Sequence, residues 1–116
     1  MSVYKIFHNP RCSKSRQALQ LLKDNNCKIE IISYLEIDLK VSLIKDILKK
    51  LGLKPRDILR KGEQEYKDNN LKKDNLSEED LINYMIKYPK LIERPIVVIG
   101  DKAVIGRPPE NVLELI

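Results

Sequence analysis

The stretch that decides the fold is VYKIFHNPRCSKSRQALQLLKDNNCKIEIIS, residues 3–33. Val3-Tyr4-Lys5-Ile6-Phe7 places β-favouring residues in near alternation and reads as a strand. His8-Asn9-Pro10-Arg11 then breaks it. From Ser13 the period changes. Ala18, Leu19, Leu21 and Leu22 mark one apolar face of a helix, and Asp24-Asn25-Asn26 ends it. Lys28 to Ser33 then offers a second strand through Ile29, Ile31 and Ile32. Strand, helix and strand within about 30 residues form a βαβ unit, so the two strands are expected to be parallel with a right-handed crossover.

Working outward, Val41, Leu43, Ile44, Ile47, Leu48 and Leu51 follow helical spacing, with Gly52 as the natural stop. Pro55 is placed to open a short helix containing Ile58, Leu59 and Arg60. Glu63 to Asn70 is polar and predicts one or two loose helical turns. Ser77-Glu78-Glu79-Asp80 has the form of a capping box for a helix whose Leu81, Ile82, Met85 and Ile86 face inward and which ends near Tyr88-Pro89. Two runs, Ile96–Ile99 and Ala103–Ile105, flank Gly100-Asp101 and predict a tight hairpin. Pro108-Pro109-Glu110 opens a last helix with Val112, Leu113, Leu115 and Ile116 as its apolar side. The order βαβ, helical insert at about 40–90, then ββα predicts one α/β domain over 1–116, a thioredoxin-like fold with a four-stranded mixed sheet.

Composition narrows the function classes. The 116 residues carry 22 Lys and Arg against 17 Asp and Glu, and these are interleaved along the chain. With one Phe and five Tyr there is little aromatic interleaving of the kind that binds nucleic acid, so a solvated surface with a mild preference for anions is expected. No apolar run approaches the roughly 20 residues that span a bilayer. The first residues lack the apolar stretch of a cleaved signal, which makes the cytoplasm the expected location. The two cysteines, Cys12 and Cys27, are expected as free thiols, and a single His rules out a His-rich zinc site. No metal is expected.

Cys12 carries the chemistry. It follows a strand and precedes a helix, where unpaired N–H groups and the positive dipole end favour a thiolate. Cys12-Ser13-Lys14-Ser15 is a C-x-x-S arrangement, in which the Ser15 hydroxyl stands where a second thiol would be and is expected to donate to the thiolate. Arg11, Lys14, Arg16 and His8 add positive charge. Ala18 stands where a phosphatase-type loop would need Arg, and no glycine nearby supports a P-loop.

HNPRCSKSR, ILRKGE, ERPIVV and GRPPE, in this order, resemble the arsenate reductase family coupled to glutathione and glutaredoxin, and most closely its short members. The resemblance spans essentially the whole chain. It departs at Arg11, where better-characterised members carry a small residue, and at Ser13, where they carry Gly. The resemblance implies Cys12 as the nucleophile toward arsenic, with His8 and Ser15 holding it as thiolate. It implies Arg60, Arg94 and Arg107 as an oxyanion clamp, and a cis peptide at Pro95. Guanidinium forks suit a tetrahedral dianion because they supply paired donors without loss of charge. No bound cofactor is implied; glutathione serves as co-substrate and glutaredoxin as partner of a monomeric enzyme.

Two other readings stay open. A glutathione-dependent thiol oxidoreductase without arsenate activity would use the same thiol. A transcription regulator of the Spx type shares the Arg-Pro-Ile segment, but typically carries C-x-x-C as its switch, and Ser15 removes it.

Overall fold

A computed structural model describes residues 3–116. The chain forms two compact units, one comprising the chain through Ile37 together with Arg94–Ile116, the other Asp38–Glu93.

The first unit is built on a four-stranded sheet: β1 (Tyr4–Phe7), β2 (Ile29–Ile32), β3 (Ile96–Ile99) and β4 (Lys102–Ile105), in the order β2-β1-β3-β4. β1 and β2 are parallel, joined through helix α1 (Ser13–Asp24), while β1–β3 and β3–β4 are antiparallel. This is the mixed sheet of the thioredoxin-like plan. Ile6 pairs with Val97 and Val97 with Val104, so one apolar row crosses the sheet. Ile6, Ala18, Leu22, Val97 and Val112 are fully buried together and form its core. Burying each large aliphatic side chain is worth about 1.5–3 kcal/mol. Gly100 starts the two-residue hairpin loop at φ +58, a left-handed conformation that glycine adopts without steric cost. On the edge strand β2, by contrast, Ile31 remains 48% exposed.

The C-terminal segment departs from expectation. Pro109–Leu115 is a 3-10 helix, not an α-helix, and Leu113 and Ile116 are exposed rather than inward-facing. With three residues per turn, Pro109, Val112 and Leu115 share a face, and these are the residues that are buried or partly buried.

The second unit holds α2 (Val41–Leu51), α3 (Gln64–Asp68) and α4 (Glu78–Lys87), with short 3-10 turns at Pro55–Ile58 and Pro89–Leu91. Gly52 ends α2 at φ +70, as its spacing implies. The capping box of α4 forms fully: the Asp80 N–H donates to Ser77 Oγ, and the Ser77 N–H donates to Asp80 Oδ2, each at 3.0 Å. Inside the unit α4 packs on α2 and on the Pro55–Ile58 turn. The expected helix containing Arg60 stops earlier, at Ile58. Leu59 turns extended (ψ 132) and bridges to Ile92, and the Arg60 N–H donates to the Leu91 carbonyl at 2.8 Å. Arg60 is therefore held by a strand-like pairing.

Candidate active site at Cys12

The loop that carries Cys12 is assembled by one turn and the side chains of Asn9, Ser15 and Arg16. At the end of β1 the His8 N–H donates to the Ile32 carbonyl at 3.0 Å, which fixes where the strand stops. Asn9-Pro10-Arg11-Cys12 then closes a turn, with the Cys12 N–H donating to the Asn9 carbonyl at 3.0 Å. Asn at the first position and Pro at the second suit a β-turn. The Asn9 Oδ1 also accepts the Arg11 N–H at 3.0 Å, and Asn9 is 9% exposed. Arg16 Nη1 ties the loop from outside by donating to the Pro10 carbonyl at 2.8 Å.

Cys12 is the N-cap of α1, with extended backbone (φ −92, ψ 122), and its carbonyl accepts the Arg16 N–H at 3.1 Å. A cap side chain faces the free N–H groups of the first turn. The neutral thiol closes no full capping hydrogen bond. Even so, N–H dipoles aimed at sulfur stabilise a thiolate over a longer range than hydrogen-bond geometry requires. Burial pushes the Cys12 thiol up, but the backbone N–H of Ser15, the Arg94 guanidinium and the backbone N–H of Lys14 together outweigh it and hold the thiol below its ordinary value.

Ser15 contributes differently from the sequence expectation. Its side chain is fully buried, and its Oγ lies 2.6 Å from His8 Nδ1 and accepts the Asn9 N–H at 3.1 Å. The hydroxyl is thus a latch inside the loop, and it is the backbone of Ser15 that favours the thiolate. His8 is buried as well, and burial, reinforced by Arg16 and Lys23, holds its imidazole below the ordinary value. It enters the site as a neutral ring rather than as added positive charge.

Arg94 precedes β3, and the Arg94–Pro95 peptide is cis as expected; the Arg107–Pro108 peptide is cis too, which the sequence reading did not anticipate. The Arg94 guanidinium acts on Cys12, while its Nε is buried with no hydrogen-bond partner among the described residues. Arg107 Nη1 lies 4.0 Å from Cys12 Sγ and donates to the Arg94 carbonyl at 3.4 Å. Cys12, His8, Ser15, Arg94 and Arg107 are thereby brought together. Arg60 belongs to the second unit, where its Nη1 lies 3.4 Å from Glu93 Oε1 and its Nε 3.9 Å from Glu63 Oε2.

Two residues of the loop architecture escaped sequence reasoning. Asn9 was legible only as a strand breaker, although Asn before Pro is also the signature of the turn it nucleates. Gly106 sits where an added Cβ would stand 2.8 Å from Pro95 Cγ, so the segment behind Pro95 tolerates no side chain there. Cys27 lies past the far end of α1, partly buried against the core. Among the described residues no cluster of His, Cys, Asp and Glu is arranged to hold a metal ion, and no helix is long and apolar enough to cross a membrane.

The ArsC family model matches residues 7–115. The arsenate reductase of Neisseria meningitidis serogroup A is 44% identical over 113 residues, covering 97% of this chain and 97% of that protein. YfgD of Escherichia coli K12 is 52% identical over 113 residues, covering 97% of this chain and 95% of its own. Among solved structures, an arsenate reductase from Vibrio cholerae superposes with a TM-score of 0.95 at 44% identity, covering 98% of each chain.

Proposed function

Because this chain belongs to the ArsC family, we propose that it is an oxidoreductase that reduces arsenate to arsenite through a covalent adduct at Cys12. The observation that carries this reading is a lowered thiol at a helix N-terminus with the guanidinium groups of Arg94 and Arg107 on it. A nucleophilic sulfur beside two fixed cations is what attack on an anionic, tetrahedral centre requires.

In the proposed sequence the Cys12 thiolate displaces one arsenate oxygen, which leaves as water or hydroxide, and a sulfur–arsenic bond forms. Arg94 and Arg107, with Arg60 assigned to the same clamp by the family resemblance, balance the charge of the remaining oxygens. Glutathione then attacks the adduct. Arsenic gains the two electrons that the Cys12 and glutathione sulfurs lose on joining as a mixed disulfide, and arsenite departs. Glutaredoxin returns Cys12 to the thiol. His8 and Ser15 keep the loop in the shape that favours the thiolate.

The test is kcat/KM for arsenate in an assay coupled through glutathione, glutaredoxin, glutathione reductase and NADPH. Cys12→Ser is expected to abolish turnover, because an alkoxide is not accessible at neutral pH and oxygen cannot complete the redox step. Arg60→Lys, Arg94→Lys and Arg107→Lys each keep a charge but lose the planar fork. A charge-assisted hydrogen bond is worth about 1.5–3 kcal/mol, so each is expected to cost about 10- to 150-fold. Arginine variants that match the parent while Cys12→Ser is dead would point instead to a thiol oxidoreductase without arsenate activity.

A further inference from the structure

The thiol that regenerates Cys12 must come from outside this chain. Cys12 caps the start of α1, and Cys27 lies beyond the end of its 12 residues. A helix of that length separates them by about 18 Å. A disulfide needs Cα atoms within about 7 Å, so Cys27 cannot resolve Cys12 without unfolding the helix between them.

The surroundings of Cys12 constrain what that external thiol carries. Asp24 is the first acidic residue of the chain; before it come Lys5, Arg11, Lys14, Arg16 and Lys23. The ion pairs of Lys45, Lys50 and Arg60 all lie in the second unit. Arg11 and Lys14, which flank the sulfur one residue before and two after, pair with no carboxylate among the described residues. The Arg11 amide is pinned by Asn9 Oδ1 and the residue is exposed, so a fixed backbone carries an exposed arginine next to Cys12 in the chain. These two cations have a different position from Arg94 and Arg107. Arg11 belongs to the loop that carries the sulfur and Lys14 to the first turn of α1, and neither side chain is needed to fold that loop, since Asn9, Ser15, His8 and Arg16 supply its hydrogen bonds.

We propose that Arg11 and Lys14 are the specificity-determining residues for the sulfur partner of Cys12, and that they select a small thiol or disulfide bearing carboxylates over a neutral one. The proposal rests on Cys12 being the reactive thiol. Two cations within one turn match the footprint of a small molecule, whereas a stable protein interface extends over some 1,000 Å² or more. Opposite charges a few ångströms apart attract even through water, and salt screens the attraction.

The test uses disulfide exchange, with no arsenic present. The Cys12 thiolate attacks one sulfur of a symmetrical aromatic disulfide; a protein mixed disulfide forms, the S–S bond breaks, and the leaving thiolate takes the electron pair and is read by its absorbance. The dianionic probe is 5,5′-dithiobis(2-nitrobenzoate) and the neutral one is 4,4′-dithiodipyridine, both in a Cys27→Ser background. The ratio of the two rates cancels any change in the acidity of Cys12. In the parent this ratio is expected to fall as NaCl rises. In the Arg11→Gln/Lys14→Gln double variant it is expected to fall about three- to tenfold and to lose most of its salt dependence. Lys28→Gln/Lys102→Gln removes the same net charge from the opposite end of the sheet in the same unit and is expected to leave the ratio alone. A ratio that is unchanged in the Arg11/Lys14 variant, or lowered equally by the remote pair, overturns the proposal. A parent that fails to react with the neutral probe overturns the nucleophile assignment itself, and with it this inference.

Discussion

At the scale of single residues, Cys12 and Cys27 are the same chemical group in opposite settings. Cys12 has N–H dipoles and a guanidinium to stabilise its anion, whereas Cys27 faces a carbonyl, with its Sγ 3.9 Å from the Asn25 oxygen. Timed iodoacetamide labelling at neutral pH, read by peptide mass spectrometry, is expected to modify Cys12 first; equal rates would show that the loop does not acidify its thiol. His8 supplies a pH dependence of stability through its neutral ring. The folded state favours the neutral ring, so the unfolded chain takes up the proton more readily. Stability is therefore undiminished above the ordinary value of 6.5 and declines as pH falls below it toward the lowered folded value. Thermal melts across this range should show the decline in the parent and a shallower one in His8→Asn. Parallel curves would mean that some other group titrates.

Among the elements, two positions carry costs that can be measured separately. Ser77 caps α4 with its side chain and takes part in a closed reciprocal pair with Asp80. Ser77→Ala is expected to lower stability by about 1 kcal/mol through the lost cap alone. Gly106 joins β4 to the terminal 3-10 helix, and its N–H donates to the Pro95 carbonyl at 2.8 Å. A methyl there meets Pro95 Cγ at 2.8 Å and Val112 Cγ1 at 3.3 Å, both in packed surroundings that yield little. Gly106→Ala is expected to cost about 1–3 kcal/mol and to slow Cys12 labelling by displacing Pro95 and the neighbouring Arg94. Chemical denaturation and labelling rates measured on both variants separate the effects: the Ser77 variant should lose stability with Cys12 reactivity intact. Equal loss of reactivity in the two would refute a local role for Gly106.

For the whole molecule, the alternation from period two to helical spacing and back identified the four strands, α1, α2 and α4, because burial of one face leaves its mark directly on local residue order. Gly52, Gly100 and the Ser77 capping box were legible for the same reason: each is a local backbone demand met by a local residue type. The placement of Cys12 was legible as well, since strand, turn and helix follow one another in sequence and put it at the helix start. Where sequence reasoning failed, the deciding partner was distant. The terminal segment is a 3-10 helix that packs with α1, some ninety residues earlier, through a core holding Val112 and Leu115, and no local pattern specifies three residues per turn. Arg60 left its expected helix because Leu59 pairs with Ile92. Ser15 turned its hydroxyl to His8 and Asn9, because a fully buried hydroxyl must find partners where the packing provides them. The sequence by itself determined where most elements form and which cysteine caps a helix, since both follow from contacts within a few residues. The tertiary structure alone decided what each polar side chain touches, because a hydrogen bond depends on groups brought within about 3 Å, and only the folded chain places them there.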